Sequence, residues 1–487
     1  MKASRATPWI RMEFTRWSTI LFLLCLSLGT TPAQTIFRTL LNNGPGTNRI
    51  NIVFLAEGYT AGTAETFFAE CTNALSGDSF TPGLLNTEPL AEYRSWFNAH
   101  AIFVTSPNSG SDRPLQSQTR NTYFNSTFGA TDYVISIPPN TYDATYANGR
   151  GRVDNLLTNW LPAGQYSNRF PILIVNEPFQ DGGSAGTNLV TVSTGPTSLE
   201  ILVHEVAHTL GGLGDEYDSG GGYLDASSFG ARSNVTQQTV RSQIPWANWI
   251  TATTPVPTPD TDAYSGLVGL FQGANYTATG WYRPFRNCRM RSVGFNLDFC
   301  PVCSETLVKS IYQKVRPIDF WSPTTPSLQI TNSAPLTFSA GSLSPRSHPI
   351  NISWFTNGQP VLSATNRDFP FDPRSLGNGP HTLKVTVIDP TPLVRTRPED
   401  LRITNSWSLF LNYPDLRLQK PTFPATNRIS FTISGTMTGL FAIQFSTNLS
   451  SWKSLATNRL TSGVFQFTET NFPMRPTAYY RTIVPPR

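Results

Sequence analysis

One run, H-E-V-A-H-T-L-G-G-L-G-D-E-Y-D from His204 to Asp218, constrains the chain more than any other. Its first half has to be a helix. Thr197 and Glu200 read as a capping box, Ile201, Leu202, Val203, Val206 and Leu210 make the segment largely buried, and Gly211-Gly212 supplies the stop. On a helix, residues i and i+4 share a face about one turn apart, so His204 and His208 point the same way with Glu205 beside them. Two imidazoles at that spacing can hold one zinc ion. The glutamate can take a proton from water that zinc has acidified to a pKa of about 7. Histidine is scarce, five in 487 residues, and a chance match has odds on the order of 10⁻³ for such a composition.

A zinc site needs a third protein ligand. Gly214 occupies the register where one common pattern places a third histidine. His348 and His381 fall in β-rich sequence, and His100 lies in a strand pattern that suits a core or hydrogen-bonded histidine. No glutamate occurs between Glu216 and Glu305. The acidic pair Asp215-Glu216 remains. Asp215 is the favoured ligand, Glu216 the alternative ligand or a hydrogen-bonding partner of one, with Asp218 and Asp225 behind them. Gly211, Gly212 and Gly214 are expected to let the chain turn back toward the metal, because glycine tolerates positive φ.

The rest of the chain gives the setting. Lys2, Arg5, Arg11 and Arg16 precede an apolar run from Ile20 to Leu28, and Thr31-Pro32-Ala33 is a cleavage site, so residues 1–33 read as a secretory signal too short to span a membrane. Its removal lowers the formal net charge from +5 to about +2. That leaves no strong basic patch for nucleic acid. With charged residues at 14% and Gly, Pro, Ser, Thr and Asn abundant, the composition suits an exported, loop-rich protein. Arg49–Leu55, Phe97–Ser106 and Phe170–Asn176 read as strands, Thr63–Leu75 as a helix, and Asn188–Ser193 as an alternating, exposed edge strand.

From about Thr324 the texture changes to short alternating runs between Pro, Asn and Gly turns. Residues 34–322 are therefore expected to form a catalytic domain, 323–413 an Ig-like β-sandwich and 414–487 a small all-β module. Cys25 leaves with the signal. Cys71, Cys288, Cys300 and Cys303 remain, and export favours a disulfide among the last three. The rival is a structural zinc on Cys300-Pro-Val-Cys303, which lacks a second ligand pair in the sequence nearby.

Taken together, H-E-V-A-H-T-L-G-G-L-G-D-E-Y, C-R-M-R-S at 288–292 with F-C-P-V-C at 299–303, and I-N-I-V-F-L-A-E-G-Y-T at 50–60 resemble the IgA-specific zinc metallopeptidase family over residues 45–315. The resemblance implies an α/β zincin-like catalytic domain, a mixed sheet carrying the active-site helix, ahead of the two all-β modules. It also implies one catalytic zinc and Glu205 as general base. Met290 would form a methionine turn beneath the metal, Tyr217 would help stabilise the oxyanion, and Asn188–Ser193 would be the edge on which a peptide substrate lies. Glu57 stands where many relatives carry aspartate, and the further N-terminal domain common in the family is not seen ahead of the catalytic region.

The function expected is that of a secreted zinc endopeptidase acting on extracellular proteins. The β-modules are expected to bind a surface, a glycan or a protein. Two other readings stand beside it: an adhesion or carbohydrate-binding protein on a degenerate scaffold, and a zinc hydrolase of a cell-wall amide.

Overall fold

Two strands with every residue buried, β2 (Ile50–Glu57) and β3 (Phe97–Val104), form the middle of a mixed six-stranded sheet. Mainly apolar runs, with their few polar residues buried as well, are what a parallel strand covered on both faces requires. In this computed structural model the described residues are 35–129, 132–138, 149–186, 188–219, 230–294, 297–470 and 477–484. The expected signal at 1–33 and Asp225 lie outside them. The first strand, β1 (Thr35–Leu41), runs antiparallel to β3. Two short strands, β4 (Thr127–Phe128) and β5 (Ile135–Ser136), pair with each other. The sheet continues with β6 (Arg169–Val175), β7 (Gly183–Gly186) and β8 (Leu189–Ser193), in the order β1-β3-β2-β6-β8-β7. β3, β2, β6 and β8 are parallel neighbours, whereas β7 turns back antiparallel to β8.

Helices α1 (Ala64–Ser76), α2 (Gly149–Trp160), α3 (Ser198–Gly211) and α4 (Pro301–Lys314) belong to the same region, together with a hairpin of β9 (Phe271–Ala274) and β10 (Thr277–Arg283). α3 packs on β7, β8 and α4. The strands and helices expected at 49–55, 97–106, 170–176, 63–75 and 200–210 all appear, within a few residues at their ends.

The edge strand is different from the expectation. Asn188–Ser193 is not an edge: β8 sits between β6 and β7 with all five residues buried. Its polar positions are covered because Thr191 donates to the Ile135 carbonyl at 3.0 Å and Ser193 to the Gly182 carbonyl at 3.2 Å. The edge is β7, G-S-A-G, whose lack of large side chains hides it from any hydrophobic pattern.

Farther along, the chain is almost entirely β. A three-stranded sheet (Ile318–Ser322, Leu336–Ser342, Asp368–Phe371) faces a five-stranded one built on Gly379–Ile388 and Arg402–Leu411. Pairing of this sandwich thus starts just before residue 323. Its core is aromatic, with Trp354 stacked on Phe369 at 5.1 Å and on Trp407 at 5.9 Å between centroids. Two further small sheets, centred on Arg428–Gly435 and Leu440–Ser446, enclose a separate cluster of Ile429, Phe431, Ile433, Phe441 and Ile443.

One buried carboxylate joins the sandwich to the first region. Asp389 accepts from Tyr93 at 2.8 Å, from Tyr312 at 2.6 Å, from the Thr391 N–H at 2.9 Å and faces His348 Nε2 at 2.6 Å. Asp389→Ala strands those donors without water, and is expected to cost about 3 kcal/mol of stability. Denaturant unfolding checks this; an unchanged midpoint would show that the junction carries no such load.

His100 is the core histidine that its strand pattern suggests. It lies on β3, with β2 and β6 between it and β8. It stacks on Phe37, meets Tyr166 edge-on and contacts Thr39 Oγ1 through Nδ1 at 3.2 Å, while buried Nε2 has no hydrogen-bond partner. Burial pushes its pKa down to about 4. The folded state therefore resists a proton that the unfolded chain accepts near the ordinary value of about 6.5. The stability His100 permits is whole above that pH and falls as pH drops toward 4, by up to about 3 kcal/mol. Unfolding free energies of the wild type and His100→Leu, followed from pH 7 to pH 4, should draw together or cross on that scale. A constant gap between them would rule this out.

Candidate metal centre

A cleft of about 850 Å³ lies between β7 and α3, and His204, Glu205, His208, Asp215, Tyr217 and Tyr276 line it. α3 brings the first three to its floor. Its stop is Gly212, at φ 63°, whose N–H is satisfied by the His208 carbonyl at 2.9 Å. Gly214 needs no positive φ. A Cβ there would lie 2.7 Å from Val235 Cγ2, so close approach is what demands glycine. β7 comes equally near the helix: a Cβ on Gly183 would meet Ile201 Cγ2 at 2.6 Å and Glu205 Cγ at 3.3 Å.

Three donor atoms converge. His204 Nε2 is 3.0 Å and His208 Nε2 3.3 Å from Asp215 Oδ1, and the two ring nitrogens are 3.1 Å apart. Ligands about 2.0–2.1 Å from a tetrahedral zinc stand about 3.3–3.4 Å from one another. The remaining ring nitrogens face carbonyls: His204 Nδ1 faces Arg289 O at 2.9 Å and His208 Nδ1 faces Leu213 O at 2.7 Å. A carbonyl only accepts, so each Nδ1 carries a proton and each Nε2 offers a lone pair to the same point. Two facing lone pairs and a carboxylate need positive charge between them. The residues present fit a divalent cation.

With no cation between them, protons on the imidazoles would supply that positive charge instead. Burial would raise the Asp215 carboxyl, yet hydrogen bonds from His204 and His208 outweigh it and hold the group well below the usual carboxylate range. Burial would lower His208, but Asp215 lifts it to about 9, and His204 is raised in the same way. Burial raises the Glu205 carboxyl above its ordinary value, against the pull of the two histidines. Tyr217 and Tyr276 are pushed up by burial and by the nearby Asp215 charge, so both phenols keep their protons at neutral pH.

Glu216 goes elsewhere. Its side chain leaves on the side opposite Asp215, toward Asn234 and Cys303, at 2.9 Å and 3.0 Å from Oε1. Met290 is fully buried, and its carbonyl accepts the Glu216 N–H at 2.8 Å. Tyr217 lies edge-on to Tyr276 at 5.3 Å. Asp218 makes a backbone bridge to Tyr276. The disulfide expected among Cys288, Cys300 and Cys303 is not formed: all three are buried free thiols, with Cys288 Sγ and Cys303 Sγ 3.7 Å apart. The capping box is not formed either. Thr197 makes no side-chain cap, and Glu200 turns inward to a fully buried ion pair with Arg289.

Sequence reasoning missed three residues that hold this arrangement. Arg289, through Glu200, fixes the carbonyl that orients His204. Asn234 clamps Gly214 from both sides, at 2.8 Å to its N–H and to its carbonyl. Tyr276 donates its hydroxyl to Asp215 Oδ2. Of these only Arg289 carried a signal, standing inside C-R-M-R.

The model of the family described as IgA Peptidase M64 matches residues 39–264 and 260–311. No curated protein matches the chain. Among solved structures, fibronectin(III)-like modules of Clostridium thermocellum CbhA are similar at 10% identity and a TM-score of 0.15, over 31% of this chain and 77% of theirs. The human OSCAR ligand-binding domain is similar at 14% identity and a TM-score of 0.12, over 33% and 86%.

Removing the Tyr276 hydroxyl frees Asp215 to rotate. Tyr276→Phe is expected to weaken divalent-metal binding at the histidine pair by about 10- to 100-fold, as read by competition with a chromophoric chelator. Affinity equal to wild type would mean that Tyr276 does not orient the carboxylate.

Proposed function

The chain belongs to the IgA Peptidase M64 family, and from that premise we propose that it is an exported zinc endopeptidase that hydrolyses peptide bonds of extracellular proteins. The observation that carries the reading is the convergence of His204 Nε2, His208 Nε2 and Asp215 Oδ1 beside Glu205 in the cleft. These three side chains would hold one zinc ion in a zincin-type domain. When bound, zinc supplies Lewis-acid chemistry, polarising a carbonyl and acidifying water.

The chain's own residues do the rest. An extended substrate would add to the edge of β7 beyond Gly183, whose own N–H the Tyr133 carbonyl takes at 2.9 Å, and main-chain pairing there gives register without selecting side chains. Gly183 keeps that strand close enough to α3 for the scissile bond to reach Glu205. The Glu205 carboxylate takes a proton from the attacking water and returns it to the departing amine. Tyr217, protonated and on the cleft wall, is the donor for the negative charge that builds on the carbonyl oxygen. Tyr276 and Arg289 position Asp215 and His204. The apolar run and cleavage site before residue 34 support export, and the C-terminal β-units would hold the enzyme at a surface or a macromolecule.

Glu205→Gln keeps the ligands and removes the base. Proteolysis of denatured protein mixtures is expected to fall at least about 10²–10⁴-fold while zinc content stays at the wild-type level. Cleavage that persists in the variant, or a correctly folded wild type that binds no metal and cuts nothing, would defeat the proposal.

A further inference from the structure

Directly behind the cleft lies a second cluster, and its composition is that of a metal site. Cys288, Cys300, Cys303 and Glu216 each present one donor atom, all within 4.8 Å of one another. All four residues are buried, with exposures of 0% for Glu216, Cys288 and Cys303 and 2% for Cys300. We propose that they hold a second zinc ion, structural rather than catalytic.

Three observations point there independently. The first is spacing. Sulfurs about 2.3 Å from a tetrahedral zinc stand about 3.8 Å apart, and Cys288 Sγ and Cys303 Sγ are 3.7 Å apart. The second is parity. Three thiols meet at one point, so any single disulfide would leave a sulfur and a carboxylate over, whereas one tetrahedral cation uses all four groups. The third is an orphan: Glu216 Oε2 is buried without any hydrogen-bond partner. Its other oxygen takes Asn234 Nδ2 at 2.9 Å. A buried carboxylate oxygen with no donor is costly unless a cation completes it.

Local structure suits thiolates. Cys300 is the N-cap residue of α4, Pro301 opens the helix and Cys303 lies in its first turn, where the helix dipole favours negative charge. Cys288 Sγ accepts the Cys300 N–H at 3.3 Å, an interaction that steadies a ligand sulfur. Thiolates with a carboxylate select a thiophilic ion such as zinc over magnesium or calcium.

The placement gives the second ion a task. Asp215 and Glu216 are consecutive, so one peptide unit joins the two clusters. Met290 O holds the Glu216 N–H and Arg289 O holds His204 Nδ1, both in the loop that starts at Cys288. An ion in the buried cluster therefore fixes both the carboxylate and a carbonyl on which the outer cluster relies.

Metal analysis of the full-length secreted chain tests this. The wild type is expected to carry two zinc ions, and His208→Ala to retain one. That retained ion should be released by a mercurial thiol reagent, and its replacement by cobalt should give a sulfur-to-cobalt charge-transfer band in the near ultraviolet. Cys303→Ser should lose the inner ion. Because that variant can fail to fold, the cobalt spectrum of His208→Ala is the decisive reading. A metal-free His208→Ala chain, a cobalt spectrum without the sulfur band, or a disulfide among the three cysteines in the non-reduced peptide map would overturn the proposal. None of those results would touch the outer site, whose ion is counted separately as the difference between wild type and His208→Ala.

Discussion

Residues 215–217 are gripped by main chain on two sides, and that grip decides the chemistry on either flank. The Asp215 carbonyl takes the Asn275 N–H at 2.9 Å, the Tyr217 carbonyl takes the Tyr276 N–H at 3.0 Å, and the Glu216 N–H goes to Met290. With the backbone so held, neighbouring side chains leave in opposite directions. One acid meets two imidazoles and the other meets three thiols. A shift of a single residue would exchange them and put a longer side chain where the shorter one fits. The glycines before this stretch serve it differently: Gly212 reverses the chain, while Gly214 allows Val235 to close in.

What was legible in the sequence is what local periodicity encodes. α3 declares itself by its apolar spacing and glycine stop, and β2, β3 and β6 by unbroken hydrophobic runs. Asp215 lies with the two histidines and Glu216 with the cysteines, a division that the sequence does not show because it does not say which way either acid points. Contacts far apart in sequence were not legible. Glu200 looks like a capping residue until Arg289, 89 positions away, claims it. Nearby cysteines suggest a disulfide until Glu216, 87 positions before Cys303, joins them. Asn234 and Tyr276 belong to segments with no pattern of their own, and only the folded chain brings them to the cleft.

The sheet edge shows how such misreadings arise. L-V-T-V-S alternates as a half-exposed strand should, but its threonine and serine are buried because nearby carbonyls accept their hydroxyls. G-S-A-G has nothing to alternate. The last strand of the sheet, bridged at Gly183 by Val134, is therefore the one that carries least sequence information, since the close helix requires small residues there.

Asp389 has a mechanical meaning as well. A carboxylate shared by Tyr93, Tyr312 and His348 is a weld, not a tether, and the Arg49–Asp319 pair at 2.6 Å adds a second point of fixation nearby. Two fixed points prevent swivelling. The opening of the cleft keeps a constant bearing relative to the sandwich.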